Sequence, residues 1–358
     1  MLISGRYTAT GNQKVGGMSL AVVCEDVRLK RNVMLKSVQG PKFKSRLVDE
    51  ISSLLAIRSK NVVQILDLAR LPFNGDYIDC IVLEHIEGAE LAEGSYECDR
   101  DYAGILLQVA SGLREIHGAG IVHRDIKPNN IMLDSHGVVK IIDFGLSREI
   151  DKNNHTNSAI GYLPYMAPEL LKPPVTFTQK ADVYAFGVLA LSLLKSKIPP
   201  FCVATPRTYP FPQADIKSAF SGFHQNLQEN LYLCVSENPD SRPSMDVIHS
   251  LLAKEYWKGL RRASISLPGG SVTVSAASRK ATPTVKNAKN QAVVSQIAIE
   301  YNDIDFVVTS NTGYVLANNM PLAVGSTMPD ACVLTFPSSP PSRRFFCTWD
   351  VSNPELIV

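Results

Sequence analysis

Closely spaced cysteines are absent from this sequence of 358 residues. Its seven cysteines are dispersed, and the two nearest to each other, Cys332 and Cys347, are separated by 15 positions. Such spacing provides neither a paired-cysteine metal site nor the dense disulfide framework of a small secreted domain. Dispersed thiols are typical of a reducing compartment, so we expect a cytoplasmic protein.

The sequence also lacks a hydrophobic run long enough to cross a membrane. Its most apolar stretch extends only from Val183 to Leu194 and is followed by Lys195, whereas a spanning helix needs about 20 residues. The N-terminal residues contain no apolar core of the kind found in secretory signals. We therefore expect neither secretion nor a transmembrane segment.

An excess of charge of one sign is missing as well. The chain has 36 Lys and Arg against 34 Asp and Glu, so no overall field favours a specific nucleic-acid partner. One segment departs from this balance, because residues 258–290 contain Lys and Arg but no Asp or Glu. Ser, Thr, Ala and Gly fill the rest of it, and this composition predicts a basic, flexible linker over 258–290.

The chain has a different pattern on each side of that segment. Residues 1–257 begin with apolar runs typical of strands and continue with mainly helical patterns, which indicates a mixed α and β unit. Helical periodicity is present over 43–57, 103–117, 182–194 and 216–234. Residues 291–358 contain short apolar runs separated by turn residues, which predicts a small all-β module.

Residues 121–145, with the sequence IVHRDIKPNNIMLDSHGVVKIIDFG, carry most of the chemistry. Asp125 lies in a polar loop between two apolar runs, where it can accept a proton from a hydroxyl group, and Lys127 can neutralise a phosphoryl group. Asn130 and Asp143 offer the oxygen ligands that Mg²⁺ prefers. The strand–turn–strand pattern between them predicts a hairpin that returns both to one site.

This stretch resembles the eukaryotic-type (Hanks-type) protein kinase family. The family's catalytic loop HRDxKxxN stands unbroken at 123–130 and its DFG motif at 143–145. The resemblance extends over about residues 5–257. It implies an α+β bilobal fold, with a β-rich N-lobe over 1–84 and a larger helical C-lobe over 88–257. The implied activity is transfer of the γ-phosphate of ATP, with Mg²⁺, to Ser and Thr hydroxyls of protein substrates and of the chain itself.

The resemblance also implies a role for each polar residue. Lys36 matches the strand lysine that contacts the nucleotide phosphates, and Glu50 matches its ion-pair partner on the following helix. Asp125 would orient the acceptor hydroxyl, and Lys127 would stabilise the transferring phosphoryl group. The two oxygen ligands described above, Asn130 and Asp143, would hold the metal.

The nucleotide pocket involves further positions in this family. The resemblance implies nucleotide contacts for Gly16, Gly17, Ala21, Met34, Glu84, Ile86 and Met132. Of the three glycines in the family's phosphate loop only Gly16 remains, with Gly17 beside it. Ala21 and Met34 exchange the family's large and small residues, which roughly conserves the volume of the adenine pocket.

The acceptor specificity remains open between Ser/Thr and dual specificity. Lys127 favours Ser and Thr, because dedicated tyrosine kinases lack a lysine at this spacing. Tyr162 stands where Ser/Thr kinases have a threonine that contacts the catalytic loop.

Four positions are candidates for regulation. Arg124 is expected to bind a phosphate group on Thr156 or Ser158 by charge-assisted hydrogen bonds. Ser264 follows two arginines and is a candidate site of self-phosphorylation. Asn129 weakens that expectation, because arginine-selective relatives have Glu at its position.

Other family positions point to structural roles. Glu169 and Arg242 match a conserved ion pair, Asp182 matches an anchor on the following helix, and His123 matches a packing residue in a stack of apolar side chains. These residues are expected to hold the fold rather than to react.

Two alternatives to an active kinase stay open. A pseudokinase scaffold would fit the glycine-poor phosphate loop, and an adaptor would use the C-terminal β module to bind a protein partner. The module itself offers no metal spacing, nucleophile pair or phosphate loop.

Overall fold

The computed structural model describes residues 2–15, 19–38, 44–73, 76–144, 148–149, 155–156, 163–171, 175–196, 199–204, 207–267, 270–337 and 344–353. The chain divides into two compact units, Met1–Leu252 and Ala253–Val358.

The first unit begins with a five-stranded antiparallel sheet. Its strands are β1 (Tyr7–Val15), β2 (Ser19–Asp26), β3 (Arg31–Val38), β4 (Ile65–Phe73) and β5 (Asp76–Glu84), in the order β1-β2-β3-β5-β4. Leu20, Val22, Cys24, Val33 and Leu35 face one buried cluster. Because side chains alternate along a strand, the residues between them lie on the opposite face.

Helices make up most of the remainder of this unit. They are α1 (Lys44–Ala56), α2 (Arg100–Gly118), α3 (Gln179–Ser192), α4 (Pro200–Val203), α5 (Gln213–Ala219), α6 (Gln225–Cys234) and α7 (Met245–Tyr256), the last of which continues past Leu252 into the second unit. Helix α3 is buried along its whole length from Ala181 onward, so it is apolar on all sides rather than amphipathic. Among the described residues, no helix has both the length and the hydropathy that crossing a bilayer requires.

Short strands connect the sheet to the helices. They are β6 (Gly88–Glu90), β7 (Ile121–Val122), β8 (Ile131–Asp134), β9 (Val139–Ile141), β10 (Arg148–Glu149), β11 (His155–Thr156) and β12 (Val175–Thr176). Strands β8 and β9 form an antiparallel hairpin with β6 at its edge. The Ile141 N–H donates to the Asn61 carbonyl at 2.9 Å, which ties this hairpin to the loop after α1.

The prediction of a single helix over 216–234 is wrong, because this segment contains parts of two helices. The chain forms α5 and α6 there, separated by a turn that contains Gly222. A Cβ atom at Gly222 would lie 1.9 Å from the Cys98 carbonyl oxygen. This close approach of two backbone segments needs glycine and breaks the helix.

The second unit is built from strands. They are β13 (Arg262–Leu267), β14 (Gly270–Val274), β15 (Lys280–Ala281), β16 (Thr284–Lys286), β17 (Val293–Tyr301), β18 (Phe306–Thr312), β19 (Leu316–Ala317), β20 (Met320–Pro321), β21 (Ala331–Pro337) and β22 (Arg344–Ser352). One sheet has the order β14-β13-β22-β21-β19-β20, and the other joins β15, β16 and β18 to β17. Residues from both sheets, among them Trp349, Phe306 and Ile297, form one buried cluster.

The flexible linker predicted over 258–290 is wrong, because four strands of the second unit lie within it. Strand β13 is an interior strand of the first sheet, paired with β14 on one side and β22 on the other. Ala263 and Ile265 are fully buried, whereas the intervening Ser264 is exposed. This alternation is a strand signal that the Ser- and Gly-rich composition concealed.

Two arginines of that segment pair with acidic residues elsewhere in the second unit. Arg261 is 5% exposed and its Nη2 lies 2.8 Å from Asp330 Oδ1. Arg279 Nη2 lies 3.0 Å from Asp303 Oδ1. The segment is therefore part of a folded domain, in which Arg261 and Arg279 pair with carboxylates from later in the chain.

Candidate active site

Lys36, on β3, is the central cation of the candidate site. Its ammonium nitrogen lies 2.7 Å from Glu50 Oε1 on α1 and 2.6 Å from Asp143 Oδ1. The sheet points Lys36 away from the core, because the neighbouring Leu35 is buried there. Three segments that are far apart in sequence therefore meet at one charged group, and the ion pair expected between Lys36 and Glu50 is present.

The charge of Lys36 is stabilised by its two carboxylates. Burial by itself would lower the pKa of Lys36, but Glu50 and Asp143 outweigh burial and hold it above its ordinary value. Glu50 is only 1% exposed, so water and salt screen the pair weakly. A cation fixed in this way is suited to binding phosphate oxygens.

Asp125 is the centre of a second polar cluster, which lies in the catalytic loop, residues 123–130. Its Oδ2 accepts hydrogen bonds from Lys127 Nζ and Asn130 Nδ2, each at 2.7 Å. Asn130 Nδ2 also lies 2.8 Å from the Asp125 carbonyl oxygen. These donors hold the Asp125 carboxylate in one orientation and place the lysine directly beside it.

The hairpin of β8 and β9 joins the two clusters. Ile142, the residue before Asp143, donates its N–H to the Asn130 carbonyl at 2.8 Å. The hairpin predicted from the sequence is present, and Asn130 and Asp143 lie at its open end. Asp143 has a φ of 64°, a left-handed conformation that costs a non-glycine residue free energy and persists where the surroundings enforce it.

Asp182, on α3, anchors the start of the catalytic loop. Its carboxylate is 1% exposed and accepts the N–H groups of His123 and Arg124, each at 2.8 Å, while His117 Nε2 lies 3.0 Å from Oδ2. Burial would raise the pKa of Asp182, but the hydrogen bond and charge of His117, with His123, hold it below its ordinary value. Arg124 has a φ of 72°, so this anion stabilises a strained backbone.

His123 lies in the core of the site as a neutral ring. It is fully buried, its Nδ1 accepts the N–H of Asp125 at 3.3 Å, and its Nε2 lies 3.3 Å from the Ile142 carbonyl. Its ring packs edge-on against Phe144 at 4.8 Å. Burial lowers the pKa of His123 against the pull of nearby carboxylates. The residue therefore packs and positions the loop, as the sequence indicated.

Because His123 is buried as a neutral ring, we expect the free energy of unfolding to depend on pH below the ordinary histidine pKa. Below the ordinary histidine pKa of 6.5 the unfolded chain binds a proton that the folded chain rejects, so the free energy of unfolding falls as pH falls. The wild type should lose about 1 kcal/mol per pH unit more than His123→Phe between pH 6.5 and 5.5. Urea unfolding of both proteins at pH 7.5, 6.5 and 5.5 measures this. If the two proteins differ in free energy of unfolding by the same amount at all three pH values, the conclusion that His123 is neutral in the folded chain is contradicted.

Ala21 and Met34 lie on the same face of the sheet as Lys36. Ala21 is paired with Lys36 across β2 and β3, and Met34 is paired with Val23 on one side and Leu83 on the other. Both side chains are half-buried. The exchanged small and large residues thus lie on the same face of the sheet as Lys36.

Glu84 ends β5 and connects it to the hairpin. Its N–H donates to the Gln64 carbonyl at 2.9 Å, and its carboxylate accepts the Gln64 N–H at 2.9 Å and Lys140 Nζ at 2.8 Å. Ile86 lies in the irregular segment after β5, and half-buried Met132 lies on β8, paired with Lys140. The ion pair therefore links Glu84 at the end of β5 to Lys140 on β9, the strand that pairs with β8 at Met132.

The residues at the junction of the clusters suit a hard cation. Asn130 directs its amide nitrogen at Asp125, so its amide oxygen points the other way. Asp143 contributes a carboxylate that is 46% exposed. Oxygen ligands of this type fit Mg²⁺ rather than a thiophilic metal. The described residues contain no cluster of three or more His, Cys, Asp or Glu side chains placed for a metal.

Several predicted residues are not part of this arrangement. Gly16, Gly17, Ser158 and Tyr162 lie outside the described residues. The backbone of Thr156 pairs with Val175 between β11 and β12. Ser264 lies in the second unit, where its backbone pairs with Thr273 and Asp350 on its two sides. Phosphorylation of Ser264 would require this strand, which is paired on both sides, to open, and this weighs against it as a self-phosphorylation site.

Arg124 and Arg242 are both buried but have different surroundings. The Arg124 guanidinium lies over the Phe177 ring at 4.3 Å. Arg242 forms a two-point ion pair with Glu169, with N–O distances of 2.7 and 2.8 Å. Its other donors bind backbone carbonyls, including that of Ser236 at 2.9 Å. The structural role expected for Glu169 and Arg242 agrees with this geometry.

Sequence reasoning missed three polar residues that support the site. They are His117 beside Asp182, Lys140 beside Glu84, and Arg207, which binds backbone carbonyls of residues 163–166. His117 lies on a regular helix pattern and Lys140 in a strand pattern, where a charged residue is ordinarily a surface residue. Only the contacts that they make in the folded structure distinguish them from ordinary surface residues.

A nucleotide-dependent phosphotransferase is the class of protein that this fold and site define. A family model described as "Protein kinase domain" matches residues 13–257. Because this match covers most of the chain, the chain belongs to the protein kinase domain family.

Relatives with known names agree with this family. The chain is 33% identical over 213 residues to "Probable serine/threonine-protein kinase pknA2" of Bifidobacterium longum, covering 55% of this chain and 27% of that protein. It is 34% identical over 209 residues to serine/threonine-protein kinase PrkC of Bacillus subtilis, covering 55% and 31%. Serine/threonine-protein kinase dst4 of Dictyostelium discoideum is 27% identical over 250 residues, covering 64% and 50%. The chain thus spans less than a third of both bacterial relatives.

Proposed function

We propose that this chain is an ATP-dependent protein kinase that phosphorylates Ser and Thr hydroxyls of proteins, including its own. The observation that carries the proposal is the pair of joined clusters, Lys36 with Glu50 and Asp143, and Asp125 with Lys127 and Asn130. We also propose a bilobal arrangement within residues 1–257, with the five-stranded sheet and α1 forming the N-lobe. The family and the names of the relatives support Ser/Thr specificity.

Each residue has a defined task in this proposal. When bound, Mg-ATP supplies the γ-phosphoryl group and the positive charge that offsets its oxygens. Lys36 binds phosphate oxygens, and Asn130 and Asp143 would hold the metal. Asp125 orients the acceptor hydroxyl and takes its proton as the hydroxyl oxygen bonds to the γ-phosphorus, the bond from that phosphorus to the β–γ bridging oxygen breaks, and ADP leaves. Lys127, already beside Asp125, stabilises charge on the transferred group, so catalysis is mainly positioning and electrostatics.

The pseudokinase alternative predicts that one or more of these polar residues is replaced. Lys36, Asp125 and Asp143 are all retained, and each contacts a partner suited to its task. This favours an active enzyme.

A transfer assay tests the proposal. Purified protein is incubated with Mg²⁺, γ-labelled ATP and casein as a general acceptor, and the labelled amino acids are identified after hydrolysis. We expect phosphoserine and phosphothreonine in casein and in the chain, and loss of at least 100-fold in Lys36→Met. Calorimetry that detects ATP binding without any transfer would support the scaffold instead.

We propose that Arg124 recognises a phosphate group on Thr156 or Ser158. The support is local, because Phe177, which contacts the Arg124 guanidinium, directly follows the strand β12 that pairs with Thr156. Phosphosite mapping of active protein should find one of the two residues modified. Active protein with both unmodified would contradict the proposal.

We propose a protein-docking role for the second unit. Phe346 and Val333, exposed by 56% and 42%, lie on the sheet face opposite the buried Cys347 and Leu334. Exposed apolar residues on one face of a sheet are typical of an interaction surface. Partner capture by the full-length chain should be lost in Phe346→Ser, while casein phosphorylation stays unchanged. Equal capture by both proteins would contradict this role.

A further inference from the structure

Arg207 binds three backbone carbonyls of one short segment. Its Nη1 donates to the Met166 carbonyl at 2.6 Å, and its Nη2 donates to the Pro164 carbonyl at 3.1 Å and to the Leu163 carbonyl. Nη1 also lies 3.1 Å from the Tyr184 hydroxyl on α3. Residues 163–166 form a tight turn that begins with the 3-10 helix Leu163–Tyr165. Arg207 therefore connects this turn to the rigid buried helix.

Only a guanidinium can make this set of contacts. Its planar fork holds several donors at fixed angles, whereas a lysine ammonium is a single point of charge on a flexible stem. The Leu163 carbonyl also accepts the Met166 N–H at 3.2 Å within the turn, and Arg207 adds donors from outside the turn to it and to the Pro164 and Met166 carbonyls. Arg207 therefore fixes the shape of the turn, not merely its position.

Tyr165 gives the same turn a second attachment. Its hydroxyl donates to Glu93 Oε1 at 2.5 Å and lies 3.0 Å from Ser192 Oγ at the end of α3. Ser192 in turn donates to the Leu189 carbonyl. Tyr165 is 5% exposed, so this hydrogen-bonded side chain cannot move without breaking buried contacts.

The turn faces the catalytic loop. Tyr165, Met166 and Ala167 line a small cavity of about 20 Å³ together with Asp125 and Ile126. This places the turn beside the residue proposed to orient the acceptor hydroxyl, whereas Lys36, proposed to bind nucleotide phosphates, lies on the sheet. A change in the shape of the turn should therefore affect the acceptor and leave the nucleotide unaffected.

We propose that Arg207 is a positioning residue for the protein acceptor, acting through the carbonyls of Leu163, Pro164 and Met166. This inference rests on the proposed kinase function. The proposal is supported by the three hydrogen bonds from Arg207 to carbonyls of the turn and by the cavity that residues of the turn line together with Asp125.

Steady-state kinetics of Arg207→Met with casein and ATP test the proposal. The KM for casein should rise about tenfold, while the KM for ATP and the rate of ATP hydrolysis without casein stay within about twofold. Arg28→Met, an exposed arginine in the turn between β2 and β3, is the matched control and should match the wild type. Equal changes in both KM values, or no change in either, would overturn the proposal.

Two further variants keep the test decisive if Arg207→Met folds poorly. Arg207→Lys retains the charge without the fork and should still show a raised KM for casein. Arg207→Ala should recover casein affinity when guanidinium is added at millimolar concentration, which a general folding defect would not do. Absence of rescue together with a wild-type KM in Arg207→Lys would contradict the assignment. If the wild type transfers no phosphate to casein or to itself, the proposed kinase function fails, and this result is distinct from failure of the Arg207 assignment.

Discussion

Replacing Asp125 with asparagine is expected to lower phosphoryl transfer about 1000-fold while ATP affinity stays within about twofold. Asparagine keeps the size of the side chain, and its amide oxygen can still accept from Lys127 and Asn130, which contact Oδ2 in the native loop. The amide cannot take a proton from the acceptor hydroxyl. The variant should therefore retain the geometry of the site and lose the chemical step.

Rapid-quench measurement of casein phosphorylation under saturating ATP gives the transfer rate, and calorimetry gives ATP affinity. Asp215→Asn, an exposed position on α5, is the control and should retain full activity. An Asp125→Asn rate above about a tenth of the wild-type rate would mean that another residue orients the acceptor.

Replacing Arg242 with methionine is expected to destabilise the first unit by about 3–5 kcal/mol. The Arg242 side chain is completely buried and forms its two-point pair with Glu169, so removal leaves a partly buried carboxylate without its partner. Methionine fills part of the volume but satisfies none of the carbonyls of Ser236, Lys180 and Glu237 that the guanidinium binds. Loss of a buried charged partner is more costly than loss of a surface pair.

Thermal unfolding of the full chain measures this effect, with an expected fall of about 10 °C in the midpoint of the first unit. Arg70→Met is the matched control, because Arg70 is 74% exposed and pairs with the exposed Asp79. Exposed pairs contribute about 0–1 kcal/mol, so this control should unfold within about 2 °C of the wild type. Equal effects of the two substitutions would contradict the structural role of Arg242.

Local patterns predicted the elements that carry the site. Apolar runs predicted strands in the first part of the chain, and the strand–turn–strand pattern located the hairpin that brings Asn130 and Asp143 together. The pairing of Lys36 with Glu50 was implied by the family resemblance, not by local pattern, since isolated charges of this kind are usually solvated.

The errors have physical causes that a single segment cannot reveal. Residues 258–290 have a linker composition, yet β13 is stable because β14 and β22 pair with it from both sides. The break between α5 and α6 depends on the approach of Cys98, more than 100 positions before Gly222. Arg207 lies in an irregular segment, and its carbonyl partners are about 40 positions earlier. Such long-range contacts leave no periodic signal in the sequence.

The central claim is that the two joined clusters transfer the γ-phosphate of ATP. The most direct measurement is incorporation of label from γ-labelled ATP with Mg²⁺ into wild type and Asp143→Asn, followed by identification of the labelled residues. Label on Ser and Thr of the wild type, with Asp143→Asn reduced at least 100-fold, is the predicted result. Equal labelling of the two proteins, or no labelling of the wild type, would contradict the account.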